Sequence, residues 1–75
     1  MSVAREIRAE MARQHMTYID LSNKTEIDHR KLLRTTSQET QPLTIPDMNA
    51  IAKALNLRVS DLIIRAEENA QEVAA

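Results

Sequence analysis

The sequence predicts an all-α fold, a compact bundle of five helices. Apolar residues recur at intervals of three and four, which is the spacing of one helix face, and no stretch shows the alternation of a half-buried strand. Good N-cap residues, among them Ser2, Thr17 and Thr44, stand just ahead of these apolar segments. The 75-residue chain has no Gly and one aromatic residue, Tyr18, so its core must be built from Leu, Ile, Val, Met and Ala.

The first two helices are predicted behind two cap residues. One helix follows Ser2 and is expected to end near His15. Its apolar face consists of Val3, Ala4, Ile7 and Met11. A second helix, from Tyr18 to about Lys24, follows Thr17 and has Leu21 as its clearest apolar anchor.

A third helix is predicted after a break at residues 25–27, with Asp28 as its cap. One face of this helix carries His29, Arg30, Leu33 and Arg34. Leu32, Thr35 and Thr36 fall toward the opposite face. One side can therefore pack against the bundle while the other meets a polar, anionic partner.

Two more helices are predicted after a polar, irregular loop at residues 37–42. Thr44 caps the fourth helix, whose apolar stripe is Ile45, Met48, Ile51, Ala52 and Leu55. Asn56 is expected to end this helix in the left-handed conformation. The fifth helix begins near Val59 or Ser60, and its stripe is Val59, Leu62, Ile63, Ala66, Ala70 and Val73.

The composition excludes several classes of protein. There is no Cys, hence no disulfide and no thiolate metal site, and no apolar run is long enough to cross a bilayer. His15 and His29 lack a third ligand at a suitable spacing, so no metal or other cofactor is expected. No Cys nucleophile, Ser/His/Asp spacing or Gly-rich phosphate loop indicates an enzyme or a small-molecule site. We therefore expect a non-enzymatic, cytoplasmic protein.

Charge is distributed unevenly along the chain. The formal net charge is −1, but residues 1–34 carry +2 and the remainder carries −3. A protein that binds a polyanion through one basic face would have one half with positive and one half with negative net charge, as here. A difference of this size does not identify a partner by itself.

Two segments, HMTYIDLSNKTEID and LTIPDMNAIAKALNLRVSDLI, have a recognisable pattern. The first resembles the second helix and turn, and the second resembles the fourth helix, linker and fifth helix, of the lambda-repressor-like family of helix-turn-helix domains. This family includes phage Cro and repressor proteins and bacterial regulators of the xenobiotic-response-element type. The resemblance implies a DNA-binding domain at residues 1–66, with an acidic, alanine-rich extension of the fifth helix at residues 67–75. It places the third helix in the major groove of an operator half-site.

The resemblance also implies roles for individual residues. It assigns base reading to His29, Arg30 and Arg34, and phosphate contacts to Thr17, Tyr18, Lys31, Gln41 and Thr44. It places a dimer interface at Leu57, Val59, Ile63 and Ile64. Because Ile63 and Ile64 are adjacent, both cannot face inward from one helix.

The chain departs from the family pattern in its turn and third helix. Glu26 stands where Gly is usual and must adopt a left-handed conformation or force a different turn. Leu33 replaces a polar residue and Thr35 an aliphatic one, while Met11 and Thr36 replace the Arg and Glu that often pair between the first and third helices.

The leading functional interpretation is a sequence-specific transcriptional regulator, a phage Cro-like or immunity repressor that binds a near-palindromic operator as a dimer. The alternative is an antitoxin or adaptor protein that uses the same fold mainly to bind a protein. At the level of residues, Arg30, Lys31 and Arg34 would then be only a solvated helix face. Tyr18 is equally compatible with covering a thin core and with contacting a phosphate.

Overall fold

The computed structural model describes residues 2–74, with side chains described for residues 2–69. Within this range the chain forms five helices and no strand, so the predicted all-α bundle is confirmed. The helices are α1 (Val3–Arg13), α2 (Tyr18–Thr25), α3 (His29–Leu32), α4 (Ile45–Ala54) and α5 (Val59–Ala74), and a π-helical turn (Leu33–Ser37) continues α3 directly. No helix in the described range is long and apolar enough to span a membrane.

The predicted cap residues set the starts of the helices. The hydroxyl of Ser2 accepts a hydrogen bond from the amide of Arg5 at 3.1 Å. Thr17 and Asp20 form a capping box, in which each side chain accepts from the other's amide at 3.1 Å. The hydroxyl of Thr44 likewise accepts from the amide of Asp47 at 3.4 Å. Each bond satisfies an amide that the helix itself leaves without a partner.

One apolar core joins all five helices. α1 packs on α5 and on the π-helical turn, α2 packs on α3 and α4, and α4 packs on α5. The core comprises Ile7, Met11, Leu21, Leu32, Ile51, Ala52, Leu55 and Leu62. With no Phe or Trp available, these aliphatic side chains exclude water from the centre of the bundle.

The predicted stripe of α4 is wrong at its first member. Ile45 is 70% exposed, because it occupies the first helical position, ahead of the turn that contacts the core. Leu43, two residues before the helix, packs on the core instead, and it lines the same shallow cavity as Met48. Residues at these two positions often form a hydrophobic staple. In α5 the predicted stripe members Ala70 and Val73 lie outside the described side chains.

Each link between consecutive helical segments contains one residue with a left-handed backbone. Asn56 and Glu26 have φ angles of 59° and 60°, which confirms the prediction for Asn56 and the first alternative for Glu26. The links after α1 and after the π-helical turn contain His15 and Glu39, both with φ of 54°. A chain without Gly thus makes its tight turns with residues that carry a side chain.

Candidate nucleic-acid interface

The start of α2 is capped tightly, and this limits how it could meet a phosphate. The amide and hydroxyl of Thr17 are both engaged with Asp20, whereas the amides of Tyr18 and Ile19 have no acceptor within the helix. The hydrogen bonds from Thr17, first its amide and then its hydroxyl, hold the pKa of Asp20 below its ordinary value. A phosphate bound at the Tyr18 and Ile19 amides would therefore lie beside an ionised carboxylate. The ring of Tyr18 packs partly against the core.

α3 and the π-helical turn that continues it have one buried and one exposed face, as the sequence predicts. Leu32, Thr35 and Thr36 are buried, whereas Arg30 and Arg34 are exposed and His29 is half-buried. The carboxylate of Asp28 accepts a hydrogen bond from the amide of Arg30 at 3.2 Å and so fixes the first turn. The two arginines remain on the outer side of a helix whose inner side is anchored in the core.

A π-helical turn places Arg34 differently from the way a continuous α-helix would. The hydroxyls of Thr35 and Thr36 donate to the carbonyls of Lys31 and Leu32 at 2.9 and 2.6 Å, inside the molecule. Threonine hydroxyls that bond back to carbonyls of the preceding turn commonly distort a helix. Because a π-helical turn has more residues per turn, Arg34 is rotated relative to Arg30.

In the structure Arg34, which was predicted to read bases, lies next to Gln41, which was predicted to contact a phosphate. Arg34 Nε donates to Gln41 Oε1 at 3.0 Å. The amides of Thr40 and Gln41 both donate to the carbonyl of Arg34, at 3.0 and 3.3 Å. The loop is thus bound to Arg34 through its backbone and its side chain.

Lys31 lies against α4 rather than extending freely outward. Its Nζ is 2.9 Å from Oδ2 of Asp47, whose side chain is only 16% exposed. That oxygen accepts no well-aligned hydrogen bond among the described residues, so the ammonium group is the main compensation for its charge. The sequence showed Asp47 only as an acid near a helix N-terminus.

A second link that sequence reasoning missed ties the loop to α1. Arg8 Nη1 donates to the carbonyl of Thr36 at 2.6 Å and lies 3.4 Å from Glu39 Oε2. The hydroxyl of Ser2 donates to the other oxygen of Glu39 at 2.9 Å. These bonds link α1 to the end of the π-helical turn, in place of the Arg and Glu pair that the family often has. No local sequence signal distinguishes Arg8 from the other charged residues of α1.

The four residues predicted for a dimer interface differ in exposure. Leu57 and Val59 pack partly against the core, and Ile63 is half-buried. Ile64 is 51% exposed, as expected for one of two adjacent isoleucines. Ile64 is therefore the member of this group most available to a second chain.

A tight turn between two capped helices, followed by an exposed pair of arginines, is a helix-turn-helix arrangement. The family model described as the Cro/C1-type HTH DNA-binding domain matches residues 6–68. The chain belongs to this family, which is one of DNA-binding, typically non-catalytic domains. Comparison with curated proteins and with solved structures gave no match. Among the described side chains, no three His, Cys, Asp or Glu residues are grouped as metal ligands would be.

Proposed function

We propose that this DNA-binding domain is a sequence-specific transcriptional repressor of the phage Cro-like or immunity type. In this proposal two copies bind a near-palindromic operator in the cytoplasm, place one α3 in each major groove and occlude a promoter. The observation that carries the proposal is the division of α3 and the π-helical turn that continues it, whose exposed side presents Arg30 and Arg34 while the opposite side is buried. A helix held in this way can insert into a groove without loss of core packing.

Base reading is assigned to His29, Arg30 and Arg34. An exposed arginine can donate two hydrogen bonds to the O6 and N7 atoms of guanine, a contact worth roughly 1 to 3 kcal/mol of discrimination against other bases. The half-buried position of His29 restricts its ring and suits a contact at the edge of the groove.

Phosphate contacts are assigned to both flanks of α3. Thr17 and Tyr18 provide the start of α2 on one flank, and Gln41 and Thr44 lie in the loop on the other. Lys31 belongs to the same group, although it must share its ammonium group between Asp47 and a phosphate. These contacts would fix the orientation of α3 without specifying sequence.

Dimerisation is assigned to Leu57, Val59, Ile63 and Ile64. The exposure of Ile64 on α5 supports an apolar contact between two copies, and a two-fold contact would present two recognition helices to a palindrome. The dimer could form in solution or only on DNA.

The test is selection of bound duplexes from a random DNA pool, followed by salt titration of the selected site against scrambled DNA. We expect a two-fold symmetric motif with half-sites about one helical turn apart and affinity that falls steeply with salt. Replacing Arg30 and Arg34 together with Ala should abolish preference for the motif while leaving thermal unfolding unchanged.

A matched control removes two positive charges elsewhere. Arg5 and Lys53 are exposed and make no ion pair among the described residues, so their double substitution with Ala should retain the motif. Failure of the wild-type chain to enrich any motif, or equal loss in both double variants, would overturn the proposal. An antitoxin or adaptor role would then be the reading to test, beginning with protein partners of α5.

A further inference from the structure

We propose that Gln41 is a positioning residue that orients Arg34 for base reading, an inference that rests on the proposed function. The assignment of Gln41 as a phosphate contact does not explain why its amide oxygen faces the Arg34 guanidinium at 3.0 Å. In the inferred role, Gln41 determines which nitrogen atoms of Arg34 are presented to the DNA.

The chemistry of the two side chains fixes the direction of this bond. A guanidinium has only donors, whereas a glutamine amide has one acceptor oxygen and one donor nitrogen. Gln41 Oε1 must therefore face Arg34 Nε, and this bond occupies the donor nearest the aliphatic stem. The two terminal nitrogens, Nη1 and Nη2, remain to form an end-on pair of hydrogen bonds with guanine O6 and N7.

The loop that carries Gln41 is itself held in place. Its backbone donates two hydrogen bonds to the carbonyl of Arg34, from Thr40 and from Gln41. Glu39, two residues before Gln41, is bonded to Ser2 and Arg8 at α1. The Gln41 amide is therefore supported by a loop anchored at two places, so it can restrict the rotamers of a long, exposed arginine before DNA arrives. Such preorganisation reduces the side-chain entropy lost on binding.

The experiment compares base preferences among variants, using the duplex selected by the wild-type chain. Arg34→Ala identifies the base position that Arg34 reads, since preference there should fall by roughly tenfold. Gln41→Ala should lower preference at that same position by about threefold to tenfold, in addition to any uniform loss of affinity, seen equally with scrambled DNA, from its assigned phosphate contact. The double variant should lose no more preference than Arg34→Ala alone, because the two residues act through one contact.

Two further variants separate positioning from phosphate binding. Gln41→Glu keeps an acceptor for Arg34 Nε but places a negative charge near the DNA backbone, so overall affinity should fall while relative base preference is retained. Gln38→Ala is a matched control, because Gln38 is the same residue type in the same loop and makes no side-chain hydrogen bond among the described residues. It should change neither quantity.

Each remaining outcome decides against the inference. If Gln41→Ala weakens binding equally to every sequence and leaves base preference intact, Gln41 is a phosphate contact and only the inference is overturned. If Arg34→Ala leaves all base preferences in place, Arg34 reads no base, so the inference fails together with the base-reading assignment of Arg34, while a motif still selected by the wild-type chain keeps the proposed function. If the wild-type chain selects no motif, the proposed repressor function and the inference fail together.

Discussion

Each tight turn of this chain contains one residue with a left-handed backbone, and this conformation lowers the stability of the folded state. A residue other than Gly in the left-handed region is strained by roughly 1 kcal/mol or more, with Asn more tolerant than most. At Glu26 the surrounding bonds hold the conformation, since its amide donates to the carbonyl of Ser22 at 2.8 Å. The hydroxyl of Ser22 donates in turn to the carbonyl of Ile27 at 2.6 Å. The turn before α3 is therefore fixed on both sides of the strained residue.

Replacing Glu26 with Gly should stabilise the protein. Gly removes the clash of a Cβ in the left-handed region, while its greater freedom in the unfolded chain offsets part of the gain. We expect a net increase of about 0.5 kcal/mol in the free energy of unfolding, measured by urea denaturation. Glu26→Ala is the control, because it removes the same charge and keeps the Cβ. A gain as large in the Ala variant would show that charge, and not backbone strain, limits stability at this turn.

At the scale of single elements, local features could be predicted from sequence and non-local ones could not. The caps at Ser2, Thr17 and Thr44 and the left-handed Asn56 depend on neighbours within four residues. The π-helical turn after α3 was not predicted, because threonine side chains are compatible with either helix type until packing decides. Helical periodicity therefore identified the inner face of this segment but not its winding.

The sequence also did not predict which side chains pair with each other in the candidate site. Arg34 and Gln41 are seven residues apart, and Lys31 and Asp47 sixteen, across a loop whose path depends on how α1 and α4 pack. The charges were visible in the sequence, but their partners were not. Whether a cation is available to DNA depends on those partners, and hence on how the bundle brings Lys31 on α3 close to Asp47 on α4.

The ion pair between α3 and α4 should limit non-specific DNA binding. Replacing Asp47 with Asn removes the carboxylate that holds Lys31, which would then be free to meet a phosphate. Affinity for scrambled DNA should rise, and the slope of log K against log salt should steepen by about 0.9, the value for one added phosphate contact. Fluorescence anisotropy across a salt series measures both quantities.

Asp61→Asn provides the control for this change. Asp61 lies in the first turn of α5 as Asp47 does in α4, and its loss alters the net charge equally without releasing Lys31. Equal effects of the two substitutions would attribute the change to overall charge. An unchanged slope in the Asp47 variant would show that Lys31 does not reach the DNA backbone.

At the scale of the whole molecule, polar bonds supplement a small aliphatic core on the side where α1 meets α5. Glu10 accepts hydrogen bonds from Arg65 at 2.8 Å, Gln14 at 2.9 Å and Arg13 at 3.1 Å. The side-chain Nε2 of Gln14 also donates to the carbonyl of Leu55 at 2.8 Å, which links α1 to the end of α4. These bonds join α1 to α4 and α5, which are the helices that precede and follow the helix-turn-helix in the sequence.

This network makes stability depend on pH. The hydrogen bonds from Gln14 and Arg65, followed by that from Arg13, lower the pKa of Glu10 from 4.5 to about 2. A carboxyl with a lowered pKa in the folded state contributes stability above its unfolded pKa, and this contribution is lost as pH falls from about 5 toward 2. Glu10→Gln should therefore lower the free energy of unfolding at pH 7 by roughly 1 kcal/mol, less than the full pKa shift implies because solvent screens the exposed Arg13 and the half-buried Arg65.

Urea denaturation of both proteins at a series of pH values from 2 to 7 measures this contribution. The difference between wild type and Glu10→Gln should be largest at neutral pH and should shrink to a small remainder near pH 2, where the Glu10 carboxyl is protonated in the unfolded chain and about half protonated in the folded protein. Glu67→Gln is the matched control, because Glu67 is exposed on α5 and makes no ion pair among the described residues. A Glu10→Gln difference that stayed constant across the series would mean that packing, and not charge, joins α1 to α5 at this position.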